Sequence, residues 1–598
     1  MEGLLRGGSR QLYPPARDRR AWDGITEEAR RQIREAADAF GKIPYPPRTA
    51  TGFLAFARTG DRQADERPYF ARRRKLCAAV LAACADPDAG TDDVVDGVWA
   101  LCEESAWVIS AHNVNPIPGA PRPQEYPLPD IRRPYIDLFS AQTGMILSLT
   151  ASLLGDRLDA VSPILRARIR SEIRRRILRP FMATDDFWWM GFRRKDLNNW
   201  TPWILSNVMV CAALDAMPAR KLAALLTRAC GMLDRYLDVL PEDGGCDEGA
   251  GYWNMAGGAL LDCLEILEKV TGGRMAFRQE EKIRNILRFP LRVEMGNGWF
   301  ANFADCDARP FISGERLETA GRWIGDPALT ALGTRMRGTV ADQLSDVPHL
   351  TRALDLALHP PAELPSRPEP PGDTWLPDLQ VRLVRRGGWT LACKGGHNGE
   401  NHNHNDVGSF ILFLDGEPLA VDAGNMVYTA KTFSDERYTL WNVRADWHSV
   451  PVIGGCLQQA GAEHAASRVR CTPDGMEMNL EGAYGAEAGL ESLRRSFTLT
   501  GDGLALEDEG ALRAPREVTW VFLLRHRPEW RDGRITAGGL SIRCPDGLSF
   551  RAEEKPVEDA RMARNWPGSL WRVTLTGGKA DAFRARFVFT AKDREEKK

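Results

Sequence analysis

The sequence predicts a multidomain α + β fold, in which a domain of paired helices is followed by a domain of antiparallel strands. The chain has 598 residues, more than one compact core usually holds. Apolar residues recur at helical spacing up to about residue 355. After six prolines between His359 and Trp375, short β-rich runs replace that pattern. We therefore predict a helical domain over 1–358, a proline-rich linker over 359–375 and a β domain over 376–598.

The helices of the first domain are indicated by apolar residues three and four positions apart. The predicted helices are Arg72–Ala85, Val94–His112, Ile136–Leu154, Ile164–Leu178, Thr201–Leu214, Arg220–Leu240 and Met255–Val270. Because the loops between them are short, these helices should pack in pairs, either as a ring or as a bundle.

The strands of the second domain begin directly after the linker. The predicted strands are Val381–Arg385, Trp389–Lys394, Val518–Leu524 and Phe583–Phe589. Asp415-Gly416 lies between two β-rich runs and indicates a hairpin. This pattern is typical of an antiparallel β-sandwich or of stacked sheets.

Charge and cysteine content narrow the class of protein. The 79 Lys+Arg and 81 Asp+Glu residues nearly cancel, so no overall basic field favours nucleic acid. No uncharged apolar run is long enough to predict a membrane span. The twelve cysteines form no CxxC pair, and the first residues lack the apolar run of a secretory signal. We expect a cytoplasmic monomer or homodimer, or a secreted or periplasmic protein where a signal has been removed.

Histidines are concentrated in one short segment. Of nine in the chain, His397, His402 and His404 lie within eight residues, among asparagines and glycines. If this segment is an extended strand, His402 and His404 point to the same side. His404, Asp422 and His448 offer two imidazoles and a carboxylate, which suit zinc or another first-row divalent ion. Their separations of 18 and 26 residues would need three strands to bring them together.

Around these histidines the chain resembles the heparinase II/III superfamily of polysaccharide lyases. NHNHNDVGSFILFLDGEPLAVDAG, followed by RYTLWNVRADWHSVPVIGG, is similar to the core of that family's C-terminal domain. The helical half carries two further similar motifs, DDFWWMGFRRKDLNNWTPWILSN and DGGCDEGAGYW. The resemblance spans roughly Ile136 to Gln459, and it implies an (α/α) toroid followed by a β-sandwich.

The resemblance also implies roles for individual residues. Asn199 would contact the uronate carboxylate, Tyr252 would be a catalytic acid or base, and His402 would project into the substrate cleft. Several relatives carry a histidine where this chain has Trp200, which puts a histidine base at that position in doubt. The residues predicted to contact substrate are Asn198, Trp200, Arg193, Trp253, Arg437 and Tyr438.

The same resemblance implies a metal ion, usually zinc, held by His404, Asp422 and His448. We expect a structural role for this ion, because holding His404 would also fix His402 two residues away. Catalytic zinc usually keeps one position open beside three protein ligands, so three ligands alone leave the alternative open.

The activity implied by the resemblance is β-elimination on a 4-linked uronic-acid-containing polysaccharide, a glycosaminoglycan first and an alginate-type polyuronate next. The C5 proton of a uronate becomes acidic only when its carboxylate is neutralised, which donors such as Asn199 and His402 would achieve. An unperturbed tyrosine has a pKa of about 10, so Tyr252 can act as an acid without a shift. We therefore expect Tyr252 to be the general acid, while His402 carries or shares the role of base.

Two other functions stay open. A glycoside hydrolase on a helical toroid would use Asp247 and Glu248, or Asp243, as its two carboxyl groups, although adjacent residues rarely have the separation that hydrolysis needs. A non-catalytic carbohydrate-binding protein would keep the metal ligands and tolerate loss of Tyr252 and His402. Only a lyase gives a product with a C4–C5 double bond, which absorbs in the ultraviolet.

Overall fold

The computed structural model describes residues 1–5, 11–113, 127–363 and 372–592. Residues 364–371 of the predicted linker lie outside the described residues. The chain forms two compact units. The first, here the helical unit, comprises Met1–Leu240, Asn254–Ile283 and Ser313–Pro368. The second, here the β unit, comprises Pro241–Trp253, Arg284–Ile312 and Glu369–Lys598.

The helical unit consists of α-helices joined by loops and short 3-10 turns. The helices are Arg19–Asp23, Glu27–Gly41, Ala50–Thr59, Gln63–Ala85, Asp92–Glu103, Leu138–Leu153, Gly155–Val161, Pro163–Ile173, Arg179–Ala183, Trp200–Leu214, Ala219–Val239, Gly257–Thr271, Gly314–Ile324, Pro327–Arg335, Val340–Ser345 and Leu350–Leu358. The helix Glu281–Val293 begins in the helical unit and ends in the β unit. The prediction of a helix-rich N-terminal part is confirmed.

The central helices of this unit are buried on nearly all sides. Trp200–Leu214 packs against both Leu138–Leu153 and Gly257–Thr271, and its residues from Thr201 to Ala213 are all buried. A helix that is apolar on every side requires such a position. Ala219–Val239 buries only one face, with Leu222, Leu226 and other apolar residues facing inward. Within the described residues no single helix is long and apolar enough to cross a membrane; Leu138–Leu153 and Gly155–Val161 qualify only together, and they are bent by 82°.

One predicted helix is wrong in its length. The sequence predicts a helix over Val94–His112, but the helix ends at Glu103 and a separate 3-10 turn covers Ser110–His112. The cause is Glu104, whose carboxylate is buried and accepts hydrogen bonds from Arg72 at 2.9 Å and Arg73 at 2.8 Å. At Glu104 the backbone leaves the helical conformation, with φ −55° and ψ 134°.

The β unit contains two large antiparallel sheets. Its strands are Glu294–Gly296 (β1), Trp299–Phe300 (β2), Thr374–Leu376 (β3), Val381–Arg386 (β4), Trp389–Lys394 (β5), His397–Asn398 (β6), Phe410–Leu414 (β7), Glu417–Ala420 (β8), Pro451–Ile453 (β9), Gly461–Ala465 (β10), Ser467–Thr472 (β11), Gly475–Asn479 (β12), Leu490–Thr500 (β13), Gly503–Arg516 (β14), Val518–Leu524 (β15), Pro528–Arg531 (β16), Arg534–Ala537 (β17), Leu540–Arg543 (β18), Ser549–Pro556 (β19), Ser569–Thr576 (β20) and Ala580–Ala591 (β21). A short helix, Met562–Asn565, follows β19.

The two sheets pack face to face as a sandwich. One sheet runs β19-β20-β15-β8-β7-β5-β4-β3, with β9 beside β15, and the other runs β11-β12-β13-β14-β21-β18-β17-β16. Apolar side chains from both sheets, among them Leu412, Phe522, Phe497 and Phe587, share one core. The prediction of antiparallel sheets after a helical part is confirmed.

The β7–β8 hairpin positions the candidate site. Asp415 and Gly416 form its turn, and both have positive φ, 51° and 81°, as the predicted Asp-Gly hairpin turn requires. The chain leaves β8 at Ala420 and enters the loop that carries Asp422 and Tyr428. His402 and His404 lie in the loop between β6 and β7, which ends where β7 of the same hairpin begins.

Candidate active site

Four ionisable side chains of the β unit meet around the imidazole of His402: Glu248, Tyr252, Asp305 and Tyr428. Together with His402 they are here the His402 cluster. His402 Nδ1 lies 2.9 Å from Asp305 Oδ2, and His402 Nε2 lies 3.4 Å from Glu248 Oε1. The His402 ring also lies 5.0 Å from the ring of Tyr252 and 5.9 Å from that of Tyr428. The imidazole of His402 thus has carboxylates close to both of its nitrogens and packs beside two phenol rings.

His402 does not lie on a strand, so the prediction of an extended segment is wrong. Its backbone has φ +54°, in the left-handed region that non-glycine residues rarely occupy. Such a conformation persists only where the surroundings hold it, and it is enriched at functional sites. Lys394, at the end of β5, holds the loop through ion pairs to Glu400 at 2.9 Å and Asp406 at 2.8 Å.

Asp305 connects His402 to the next histidine of the motif. Its Oδ2 faces His402, while its Oδ1 lies 3.1 Å from His404 Nε2 and 3.0 Å from the guanidinium of Arg437. Burial alone would raise the pKa of Asp305, but the hydrogen bonds from both histidines and the charge of Arg437 outweigh it and lower that pKa. Asp305 is therefore a carboxylate at neutral pH and acts only as an acceptor.

Tyr252 reaches His402 from a tight turn in the segment Pro241–Trp253. It ends the 3-10 turn Ala250–Tyr252, which follows Gly249 at φ +86°. A Cβ on Gly249 would lie 2.6 Å from Cys306 Cβ, so only glycine allows this segment to approach residues 305–306 so closely. Gly249 of DGGCDEGAGYW therefore allows Tyr252 to reach the cluster.

The hydroxyl of Tyr252 forms a short hydrogen bond to a second tyrosine. The Tyr252 and Tyr428 oxygens are 2.5 Å apart, and the Tyr428 oxygen lies 3.3 Å from His402 Nδ1. Asn425 Nδ2 donates to the Tyr428 oxygen at 3.2 Å and to the Asp305 carbonyl at 3.1 Å. The two phenols and the imidazole thus form one continuous chain of hydrogen-bond contacts.

Burial shifts the protonation of this cluster. It raises the pKa of Glu248 to about 7, because desolvation outweighs the favourable charge of His402. Burial, with the neighbouring Tyr428, Glu248 and Asp305, raises the pKa of Tyr252 well above its ordinary value. Tyr252 is therefore a neutral phenol at physiological pH, and Glu248 exchanges its proton near neutrality.

The metal ligands implied by the sequence lie together in the β unit. One candidate ligand atom from each of His404, Asp422 and His448 falls within 4.8 Å of the others, and all three residues are buried. Asp422 Oδ2 is 2.8 Å from His448 Nδ1, and Asp422 Oδ1 accepts the Gly424 amide at 2.8 Å. His448 lowers the pKa of Asp422, although burial opposes this shift. We call these three residues the triad.

Two nitrogens of the triad fit a metal ion. His404 Nδ1 and His448 Nε2 are buried, and neither has a hydrogen-bond partner among the described residues. A buried polar atom without a partner costs free energy, so such atoms call for an unseen partner. Two imidazole nitrogens and a carboxylate are a common donor set for zinc, so these residues could hold it.

Three predicted substrate contacts of the β unit have different surroundings. Trp253 is 1% exposed, and its Nε1 donates to the Ile286 carbonyl. Trp253 is therefore a core residue, and the prediction that it contacts the sugar is wrong. Arg437 is buried and donates to the carbonyls of Asn403 and Thr432 as well as to Asp305. Tyr438 is half-buried, with its hydroxyl 3.5 Å from Asn403 Nδ2.

The remaining predicted contacts belong to the helical unit. Asn199 is the N-cap residue of Trp200–Leu214, and the side chain of Asn198 accepts from the Trp200 amide at 3.1 Å. Trp200 is half-buried, with its ring 5.1 Å from Trp188 and 4.8 Å from His112. Arg193 is exposed and pairs with Asp186. These environments leave the substrate contacts of the asparagines as predictions.

Two members of the His402 cluster were not found by sequence reasoning, and a third was given another role. Asp305 lies in NFADCDARP, which carries no recognised motif. Tyr428 lies six residues after Asp422, and its spacing carried no signal by itself. Glu248 was predicted only as one of the two carboxyl groups of a possible glycoside hydrolase. The one usable signal was the short distance of Glu248 from Tyr252 along the chain.

Known proteins similar to this chain share its fold. Residues 368–592 match the family described as Heparinase II/III-like, C-terminal. No curated protein sequence matches the chain. A solved heparinase III has TM-score 0.65 at 13% identity, over 98% of this chain and 86% of its own. Heparan sulfate lyase HepC from Pedobacter heparinus has TM-score 0.59 at 13% identity, over 95% and 83%. A chondroitin AC lyase mutant from Streptomyces coelicolor A3 has TM-score 0.52 at 12% identity, over 96% and 84%.

The matched region contains the histidine loop, the hairpin and the triad. At such low identities, the likeness to the solved structures concerns the fold. Residues 368–592 therefore match the Heparinase II/III-like C-terminal family, and the chain as a whole is similar in fold to solved heparinase III.

Proposed function

We propose that the protein is a polysaccharide lyase, which cleaves a 4-linked uronic-acid-containing polysaccharide by β-elimination. A glycosaminoglycan is the first choice of substrate, because the similar solved proteins are named heparinase III, heparan sulfate lyase and chondroitin AC lyase. An alginate-type polyuronate is the next choice. The products would carry an unsaturated uronate at the new non-reducing end.

One observation supports this proposal above the others: the chain of contacts from Tyr252 through Tyr428 to His402, with Asp305 and Glu248 at the imidazole. β-Elimination needs a base to take the C5 proton and an acid to protonate the leaving O4. The C4–O4 bond breaks, the C4–C5 double bond forms, and no water is consumed. A phenol and an imidazole held beside each other can supply both proton transfers.

Tyr252 is the general acid in this proposal. Its raised pKa keeps the phenol protonated, and Glu248 and Asp305 nearby disfavour a phenolate in the free enzyme. A base at this position would need the opposite shift, toward a lower pKa. Tyr252 therefore donates its proton to O4 as the bond to C4 breaks.

His402 is the base in this proposal. Because Asp305 is a carboxylate, His402 Nδ1 carries the proton that points to Asp305 Oδ2. That tautomer leaves a lone pair on Nε2, which can accept the C5 proton. Glu248, 3.4 Å from Nε2, lies where it can exchange that proton afterwards. Asn199 remains the residue predicted to bind the uronate carboxylate, and Tyr438 one predicted to contact the sugar.

The metal belongs to the same proposal. His404, Asp422 and His448 would hold a divalent ion, Zn²⁺ by our prediction, with a structural role. Bound there, the ion would supply a fixed positive charge beside the loop of His402. His404, two residues from His402, would then hold the base in place through the protein chain.

Glycoside hydrolysis is the second candidate, and one observation favours it. The pKa of about 7 for the buried Glu248 suits a general acid of a hydrolase. That reaction would need a second carboxyl group to act on water or on the sugar. It would also leave the contact between Tyr252 and Tyr428 without a role.

The test is a panel of uronate polymers, including heparan sulfate, chondroitin sulfate, hyaluronan and alginate. The lyase predicts an increase in ultraviolet absorbance and products lighter by one water molecule than those of hydrolysis. New reducing ends without a chromophore would establish hydrolysis instead. Binding without any new chain end would indicate a non-catalytic carbohydrate-binding protein.

A further inference from the structure

The pairing of Tyr252 with Tyr428 points to a role for the second tyrosine. The two hydroxyl oxygens are 2.5 Å apart, closer than most O–H···O hydrogen bonds. Tyr428 is also 3.3 Å from His402 Nδ1, so it contacts both the acid and the base of the proposed reaction. A phenol hydroxyl between Tyr252 and His402 can determine the direction in which the Tyr252 proton points.

The direction of these hydrogen bonds follows from which groups can donate. The amide Nδ2 of Asn425 only donates, so the Tyr428 oxygen accepts from it at 3.2 Å. His402 Nδ1 lies 2.9 Å from Asp305 Oδ2, and in this contact the imidazole N–H donates to the carboxyl oxygen. The Tyr428 oxygen then accepts from Nδ1–H as well, and its own single proton points to Tyr252. Tyr252 accepts that bond and directs its own proton away from Tyr428.

We propose that Tyr428 is a positioning residue that acts through Tyr252, in a role that rests on the proposed lyase function. It orients the Tyr252 proton toward the leaving O4. When Tyr252 becomes a phenolate, the Tyr428 hydroxyl stabilises it with a short, charge-assisted hydrogen bond. Tyr428 then delivers its own proton to Tyr252.

The protons balance over one turnover. The C5 proton goes to His402 Nε2, and the Tyr252 proton goes to O4 as the C4–O4 bond breaks. The Tyr428 proton moves to the Tyr252 oxygen, and the His402 Nδ1 proton moves to the Tyr428 oxygen. Each group has its original number of protons, with the imidazole proton now on Nε2. Exchange with water after product release restores the first tautomer.

The surroundings of Tyr428 hold it for this task. The guanidinium carbon of Arg561 lies 5.4 Å from the centre of the Tyr428 ring, where a positive charge favours a transient phenolate. Asp307 fixes that guanidinium through hydrogen bonds of 3.0 and 3.1 Å. Asn425 fixes the hydroxyl from another side, because it also donates to the Asp305 carbonyl. Tyr428 is thus held on both its ring and its oxygen.

The experiment compares Tyr428→Phe with Tyr484→Phe in the full-length protein, on the best uronate polymer from the panel. Tyr484 is a matched control, because its hydroxyl donates to the Pro451 carbonyl at 2.5 Å in the β unit. We expect kcat of Tyr428→Phe to fall about 10²-fold, the loss typical of one donor to a developing oxyanion, with KM nearly unchanged. We expect Tyr484→Phe to lower the Tm and keep kcat.

A second measurement separates proton return from a loss of packing. Raising the concentration of a small buffer acid, such as imidazolium, should increase kcat of Tyr428→Phe and leave the wild type unchanged. Wild-type kcat in Tyr428→Phe, or a lower kcat without buffer rescue, would overturn the role of Tyr428 while the lyase stands. Absence of an unsaturated product from the wild type on every polymer would overturn both.

Discussion

Two clusters of the β unit share one carboxylate but differ in exposure. In the triad, His404 is 0% exposed and Asp422 and His448 are 1% exposed. In the His402 cluster, the side chain of His402 is 19% exposed. Asp305 contacts both, with Oδ2 on His402 and Oδ1 on His404. Two histidines of one short motif therefore have opposite environments.

This difference in exposure indicates different roles: the buried triad suits ion binding, and the partly exposed His402 cluster suits proton exchange with a substrate. A buried group cannot contact a polymer, but it can bind an ion in a fixed geometry. Among the described residues, His404 Nδ1 and His448 Nε2 have no hydrogen-bond partner. A partly exposed imidazole beside two phenols can exchange protons with a substrate. Asp305 contacts a histidine of each cluster, and His402 and His404 lie two residues apart in one loop. A change in the buried cluster should therefore also affect the exposed one.

The largest effect should come from Tyr252→Phe, which removes one hydroxyl from the exposed cluster. We expect kcat to fall about 10²- to 10⁴-fold, the range for loss of a general acid. The Tm should change little, because the ring stays and Tyr252 lies outside the triad. Ultraviolet absorbance of the unsaturated product measures kcat, and thermal unfolding measures the Tm. Near-normal turnover by this variant would remove Tyr252 from the mechanism.

The next effect should come from His404→Ala, which removes a ligand from the buried cluster. Here we expect both Tm and kcat to fall, because the ion would stabilise only the folded state and His404 also supports Asp305. An ion present at a thousand times its Kd contributes about 4 kcal/mol to stability. Metal content by elemental analysis should fall from about one ion per chain toward zero.

The control for this variant is His464→Ala, which removes a histidine of β10 that lies outside both clusters. It should keep the metal, the Tm and the activity. Dialysis of the wild type against a chelator should reproduce the behaviour of His404→Ala, and Zn²⁺ should reverse it. If the wild type contains no metal and chelators leave its Tm unchanged, the metal proposal is wrong.

Several elements of the fold could be predicted from the sequence for physical reasons, whereas the triad was predicted from the resemblance. Trp389–Lys394 and Val518–Leu524 are strands with the predicted bounds, because their apolar runs suit positions buried in a sandwich. The Asp415-Gly416 turn was predictable, because few residues tolerate two successive positive φ values. The resemblance grouped His404, Asp422 and His448, and the structure brings their ligand atoms within 4.8 Å.

The rest of the His402 cluster depends on contacts between distant segments. Asp305 is 97 residues from His402 along the chain, and no local pattern relates the two. Tyr428 meets Tyr252 across 176 residues. The backbone of His402 has a left-handed conformation that no propensity predicts for histidine, because tertiary contacts hold it. Trp253 was misassigned because neighbours in a motif can point to opposite sides, one to the site and one to the core.

A smaller effect concerns pH and the carboxyl group of Glu248. Its pKa is raised from 4.5 to about 7 in the folded protein, so folding favours the protonated form. The associated stability is fully present below pH 4.5 and is lost as the pH rises through about 7, up to about 3 kcal/mol. Glu248→Gln should therefore unfold with a Tm that falls less between pH 5 and pH 8 than that of the wild type. Parallel Tm profiles for the two proteins would contradict the raised pKa.

The smallest effect should come from Arg437→Lys, which tests whether this residue binds substrate or holds the loop between the clusters. Arg437 donates to the carbonyls of Asn403 and Thr432 and pairs with Asp305. Lysine keeps the charge but lacks the planar guanidinium that donates to several acceptors at once. The loss of a hydrogen bond that involves a charged group lowers the free energy of unfolding by about 1.5–3 kcal/mol. If Arg437 holds the loop, the Tm, metal content and kcat should decrease together while KM stays constant. An increase in KM alone would instead support the predicted role of Arg437 as a substrate contact. Arg437 would then not contribute to the coupling between the two clusters, which would depend on Asp305.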